Sequence, residues 1–243
     1  MEFSILGSSS GLPEKDKNLS SVIVELNQAS ILLDCGEGIA QRLLELDKGA
    51  NYPDIIAISH LHPDHVSGFF MLIQSLYLQK RSKPLKVFMP ERIQEFKEIL
   101  PMFYTFYEKL SFKIEYLEIE QIEREYPFIK IRKNDHLDNY QNLIKTHNLA
   151  NKMNSYSFRI EENNKSLVYT SDINSTDSIA DLLQNTDYCI IDAIHPKAND
   201  FFKLEPNVNK KIVLTHGRQD EIDEIVKIKN KFEYAVEKKI YSL

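Results

Sequence analysis

A chain of 243 residues is long enough for one well-buried core, or at most two small ones. Its apolar share of 42% and charged share of 27% are those of a soluble globular protein, and no apolar run approaches the length needed to span a bilayer. The formal net charge of −6 argues against a broad electrostatic footprint for nucleic acid.

In chain order, Glu2–Leu6 reads as a strand and Gly7-Ser8-Ser9-Ser10-Gly11 as a small-residue loop after it. Such a start does not resemble a signal peptide, which points to the cytoplasm. Ser21–Leu26 and Ser30–Leu33 read as strands around the turn Asn27-Gln28-Ala29. Asp34-Cys35-Gly36-Glu37-Gly38 follows, then a helical pattern over Ile39–Asp47. Asp54–Ile58 reads as a buried strand, Phe69–Lys80 as an amphipathic helix, Leu85–Met89 as a strand and Glu91–Leu100 as a helix. The stretch from Tyr104 to Tyr126 mixes strand and helix character. Phe128–Arg132, Leu143–Lys145, Ser155–Ile160, Leu167–Tyr169, Tyr188–Ile191 and Lys211–Leu214 read as strands; Ser178–Gln184 and Asp220–Asn230 read as helices. Cys35 and Cys189 lie in separate apolar segments, as two buried thiols would. There is no linker, low-complexity segment or internal period, so residues 1–243 read as a single domain.

The chain is organised around Ser59-His60-Leu61-His62-Pro63-Asp64-His65, which holds three of its seven histidines. In an extended segment residues two apart point the same way, so His60 and His62 can reach one ion. Pro63 forces a turn, and Asp64 and His65 beyond it can face a second ion. Other apolar strands deliver ligand-type residues at their ends: Leu143–Lys145 leads to His147, Leu167–Tyr169 to Asp172, Tyr188–Ile191 to Asp192 and Lys211–Leu214 to His216. Five imidazoles and two carboxylates (His60, His62, Asp64, His65, His147, Asp172 and His216) are the donor set of a dinuclear metal site. His136, in a polar loop, reads as a surface residue and only secondarily as a rival to His147. His195 reads either as a proton donor or as an exposed loop residue before Pro196; Lys197 and Arg218 read as surface residues or phosphate contacts.

The pattern His-x-His-x-Asp-His, followed by a lone His, a lone Asp and a final His, resembles the metallo-β-lactamase superfamily. Within it the chain is most similar to the ribonuclease Z branch, through Ile31-Leu32-Leu33 leading into Asp34-Cys35-Gly36-Glu37-Gly38, Tyr169-Thr170-Ser171-Asp172 and Leu214-Thr215-His216. The resemblance implies an α/β fold, an αββα sandwich of two mixed sheets packed face to face with helices on both outer sides. It implies two divalent cations, zinc foremost with manganese or iron as alternatives. One would be held by His60, His62 and His147 and the other by Asp64, His65 and His216, with Asp172 between them. It further implies a hydroxide between the cations attacking a phosphodiester, with Asp64 orienting it, Asp192 in the place of a glutamate, and a homodimeric assembly. A tRNA 3′ end, another RNA or DNA end and a small nucleotide or cyclic phosphate are the substrates this leaves open. The interval from Asp192 to His216 lacks the His-Ser-Thr motif of that branch, and no Gly/Pro-rich insertion would build its tRNA-gripping arm. A thioester or lactam hydrolase of another branch, and a non-catalytic metal-binding protein, are the competing readings.

Overall fold

The computed structural model describes residues 1–217 and 220–243. In chain order the elements are β1 (Glu2–Gly7), β2 (Ser21–Glu25), β3 (Ser30–Leu33), α1 (Ile39–Glu45), β4 (Ile55–Ala57), α2 (Pro63–Val66), α3 (Phe69–Leu78), β5 (Leu85–Met89), α4 (Ile93–Met102) and β6 (Ile114–Glu118). Then follow α5 (Ile122–Glu125), β7 (Ile129–Lys133), α6 (Gln141–His147), β8 (Tyr156–Glu162), β9 (Lys165–Tyr169), β10 (Thr186–Asp192), α7 (Ala198–Leu204), β11 (Val208–Thr215), α8 (Asp220–Ile228), β12 (Phe232–Tyr234) and β13 (Ile240–Ser242). By their internal contacts these form two compact units, Met1–Gln121 with Glu237–Ser242, and Ile122–Val236.

The first unit is a seven-stranded mixed sheet in the order β13-β1-β2-β3-β4-β5-β6. β3 and β4 are buried along their whole length, which is why they read as unbroken apolar runs: a parallel strand covered on both faces has no polar side to show. α1 and α3 bury Ile39, Leu43, Phe69, Leu72 and Leu76 in one core with Leu32 and Ile56. Arg81, wholly buried, ends this layer. Its guanidinium donates to the carbonyls of Lys83, Ala50 and Pro84 at 2.9, 3.3 and 3.1 Å, and it lies over the Phe112 ring. Burial lowers its pKa to about 10, and the three carbonyls are what make a buried cation tolerable.

The second unit is a six-stranded mixed sheet in the order β12-β11-β10-β9-β8-β7. β9 to β12 run parallel, and the register pairs Ile190 with Tyr169 and Asp192 with Thr215. The C-terminal ends of β9, β10 and β11 therefore finish side by side, and the residues just past them share one edge. Val168, Cys189, Ile191 and Leu214 pack with Leu182, Phe201 and Ile222 in this unit's core. Both cysteines are fully buried, and burial raises both thiols well above their ordinary range, so neither is a thiolate at neutral pH.

Two expectations need correction, and the mixed reading of the stretch from Tyr104 holds. Leu143–Lys145 is not a strand but the interior of α6, ended by Asn148 in the left-handed region at φ 49°. Ser178–Gln184 is not a full helix: a 3₁₀ turn covers Thr176–Ile179, and Ser175 caps it by accepting from the Asp177 amide. The mixed stretch from Tyr104 resolves into β6, paired with β5, and short helical turns. Among the described residues no helix is long and apolar enough to cross a membrane.

Candidate metal centre

In the first unit β3 and β4 end together, and their next residues make one hydrogen-bonded group. Asp34, fully buried at φ 59°, accepts from the Ser59 amide at 2.7 Å, the Ser59 hydroxyl at 2.9 Å and His65 Nδ1 at 2.7 Å. The Ser59 hydroxyl has given its proton to Asp34, so it can only accept from His60 Nδ1, 3.0 Å away. Both rings therefore carry their proton on Nδ1, and Nε2 carries the lone pair that a cation binds. This is how a metal-binding histidine is oriented from behind: a carboxylate fixes the tautomer and raises the basicity of the ligating nitrogen. His65 Nε2 stands 3.6 Å from Asp64 Oδ2. The His60 ring centroid lies 4.7 Å from that of His62 and 4.2 Å from that of His65. Asp64 is at the first turn of α2, after Pro63, where a carboxylate also suits the helix terminus.

The main chain itself locks this turn in place. A Cβ on Gly68 would stand 1.9 Å from the Gly36 carbonyl, and one on Gly36 would stand 2.4 Å from the Asp64 carbonyl. The Gly68 amide donates to the Cys35 carbonyl at 3.0 Å and the Cys35 amide to the His65 carbonyl at 2.8 Å. Backbone meets backbone here, at distances only glycine permits.

In the second unit the shared edge gathers on Asp172, which is 3% exposed. Its Oδ2 lies 3.0 Å from His216 Nε2, 3.6 Å from His136 Nε2 and 4.0 Å from His195 Nδ1. Ser171 and His216 both take left-handed backbone, at φ 52° and 68°, a strain of about 1–3 kcal/mol each that clusters where side chains must be aimed. Asp192, fully buried, accepts from the Ile194 amide at 2.8 Å and the His195 amide at 3.3 Å, while its other oxygen meets His195 Nδ1 at 2.5 Å. The His195 side chain is one-third exposed.

The sequence-based choice of His147 is corrected here. His147 is exposed at the end of α6 and belongs to no group of three or more candidate metal donors among the described residues. His136, expected at the surface, is 7% exposed and stands against Asp172. Its loop is held by side chains: Asn134 Nδ2 donates to Ser157 Oγ at 3.0 Å, and Asp135 Oδ1 accepts from the Asn174 amide at 2.8 Å. Asp34, at the head of the Asp34-Cys35-Gly36-Glu37-Gly38 motif, is the carboxylate that holds Ser59 and the His65 ring. Lys197 is exposed at the start of α7, and Arg218 lies outside the described residues. His60 and His65 in the first unit, with their tautomers set, and His136, Asp172 and His216 in the second are donors of the kind divalent metals take.

A family model described as Anti-Pycsar protein Apyc1 matches residues 1–241. A ribonuclease Z of Saccharolobus solfataricus is 37% identical over 117 residues, covering 46% of this chain and 38% of the relative. A ribonuclease Z of Prochlorococcus marinus is 28% identical over 181 residues, covering 74% and 54%. The chain thus spans about half or less of the length of these curated relatives. Among solved structures, the metallo-β-lactamase fold protein YhfI of Bacillus subtilis superposes with a TM-score of 0.75 at 19% identity, over 99% of this chain and 98% of that one. The fold is that of the metallo-β-lactamase superfamily, and the likeness to the ribonuclease Z branch expected from the motifs is met.

Proposed function

The chain belongs to the Apyc1 family, and from that premise we propose that it is a dinuclear metal-dependent phosphodiesterase acting on a small nucleotide or cyclic phosphate. One cation would be held by His60, His62 and His136, a second by Asp64, His65 and His216, with Asp172 shared. Zinc suits these donors best, and manganese or iron would be accepted by the same set. When bound, such ions lower the pKa of a coordinated water and neutralise charge on phosphate oxygens.

The protein's own groups do the rest. Ser59 and Asp34 keep the His60 and His65 rings in their ligating tautomers. Asp64, acceptor-only when ionised, orients the attacking water. His195 is the proton donor to the leaving oxygen: Asp192 holds its Nδ1 and stabilises the charged ring, and the second nitrogen carries the proton. His195→Ala is expected to lower kcat about 10²-fold on an alkoxide-leaving nucleotide ester but only a few-fold on a p-nitrophenyl ester, whose leaving group needs no proton. Equal losses on both would remove His195 from this role.

The observation that carries the assignment is the buried Asp172 carboxylate with three imidazoles within 4.0 Å. A small substrate is favoured over tRNA because residues 93–118 are taken up by α4 and the edge strand β6 of the first sheet, and no Gly/Pro-rich insertion is left to build an arm. Zinc- or manganese-loaded protein should turn over bis-p-nitrophenyl phosphate and a cyclic nucleotide, and leave a thioester and nitrocefin untouched. No phosphodiester turnover by metal-loaded protein would defeat the assignment. Cleavage of precursor tRNA at a comparable kcat/KM would overturn the size preference.

A further inference from the structure

Between β1 and β2 the chain runs through Ser8-Ser9-Ser10-Gly11-Leu12, the small-residue loop visible in the sequence. One carboxylate holds the connection from β1 to β2 at Ser8 and again at Asn18. Glu237, with a side chain only 9% exposed, accepts on Oε1 from the Ser8 amide at 3.0 Å, the Ser8 hydroxyl at 3.1 Å and the Asn18 amide at 3.1 Å. Its Oε2 accepts from Arg42 Nη2 at 2.8 Å, which ties the loop to α1. Inside the loop, the Ser9 amide donates to the Asn18 carbonyl at 3.0 Å, and Ser9 Oγ accepts from the Glu14 amide at 3.0 Å.

The loop so fixed borders the ligand turn. A Cβ on Gly11 would lie 3.7 Å from the Asp64 carboxylate, and the next residue, Leu12, is 81% exposed. An ordered loop that holds an apolar side chain in water, one residue from a ligand carboxylate, offers a contact to something that arrives there. Phosphate oxygens have no use for an isobutyl group; a base or sugar face does.

We propose that the Ser8–Leu12 loop is the lip of the substrate pocket, that Leu12 touches the base or sugar of a small nucleotide phosphodiester, and that Glu237 is the positioning residue holding the lip beside Asp64. This rests on the phosphodiesterase assignment above. Leu12 sets which ester is accepted, whereas the chemistry at phosphorus is left to the donor set.

The test compares Leu12→Ala, Glu237→Ala and Glu237→Gln on a cyclic nucleotide and on methyl p-nitrophenyl phosphate, which has no base. For Leu12→Ala the KM of the cyclic nucleotide should rise about tenfold with kcat within about twofold, while methyl p-nitrophenyl phosphate is unaffected. Glu237→Ala should do the same and also speed trypsin cleavage after Lys15 and Lys17; Glu237→Gln, whose amide oxygen still accepts from Ser8 and Asn18, should recover most of the KM. Bound metal should stay at the wild-type level in all three. Faster proteolysis with unchanged KM would reduce Glu237 to a structural tie and overturn the proposal, as would a wild-type KM in Leu12→Ala, which changes an exposed side chain and should fold normally. If wild-type protein turns over no phosphodiester, the assignment itself has failed. The lip is then judged by equilibrium binding of a nucleoside 5′-monophosphate, where Leu12→Ala affinity equal to wild type would overturn it.

Discussion

Asp172→Ala should cost the protein most of its bound metal and more than about 10³-fold in kcat/KM, some 4 kcal/mol of transition-state stabilisation at 1.36 kcal/mol per decade. The reason lies in what surrounds this carboxylate: His216, His136 and His195 all have a ring nitrogen within 4.0 Å of one of its oxygens. Three imidazoles brought together without an anion or a cation among them would repel as soon as any two took up protons. Asp172→Asn keeps the shape and loses the charge, and should lose nearly as much activity as the alanine. Elemental analysis beside the kinetics separates metal loss from misfolding, and urea melts should show both variants folded. Full metal content with near-native turnover would remove Asp172 from the centre.

His136→Ala against His147→Ala gives the second large effect and the sharper contrast. The first should lower metal content and reduce phosphodiester turnover about 10²- to 10³-fold, the range expected when a ligand of a catalytic ion is deleted. The second should leave both within about twofold, because His147 is exposed on a helix that ends in solvent. Were the two outcomes exchanged, the strand-end assignment made from sequence would be right and the geometry of Asp172 and His136 would be incidental.

Why the sequence led to His147 can be stated physically. Leu143-Ile144 ahead of Lys145-Thr146-His147 repeats the pattern that marks the C-terminal halves of β9 and β11, where the buried apolar runs Leu167–Tyr169 and Ile212–Leu214 lead into polar residues at the edge. Over so few residues a helical turn and a strand have the same apolar signature, and α6 lies in an exposed stretch with no burial pattern to break the tie. His136 was hidden by the opposite effect. Lys133-Asn134-Asp135 looks like solvent-facing loop chemistry, yet Asn134 and Asp135 spend their side chains on Ser157, Thr170 and Asn174, partners 23 to 39 residues away. No local pattern announces such bonds. The task of Asp34 is hidden for a related reason: its partners, Ser59 and His65, are 25 and 31 positions on. What was legible was the turn His60–His65, whose whole logic is local, and the strand ends at Asp172, Asp192 and His216, each reported by an uninterrupted apolar run.

The abutting glycines beneath the histidine turn separate the scaffold from its reactive groups. Because Gly68 packs on the Gly36 carbonyl and Gly36 on the Asp64 carbonyl, the course of the chain past Asp64 is fixed by main-chain contact and not by the side chain that Asp64 presents. A lineage built on this frame can exchange imidazole for carboxylate, and so retune its choice of cation, one position at a time. The two residues it cannot exchange are the two with no chemistry to offer.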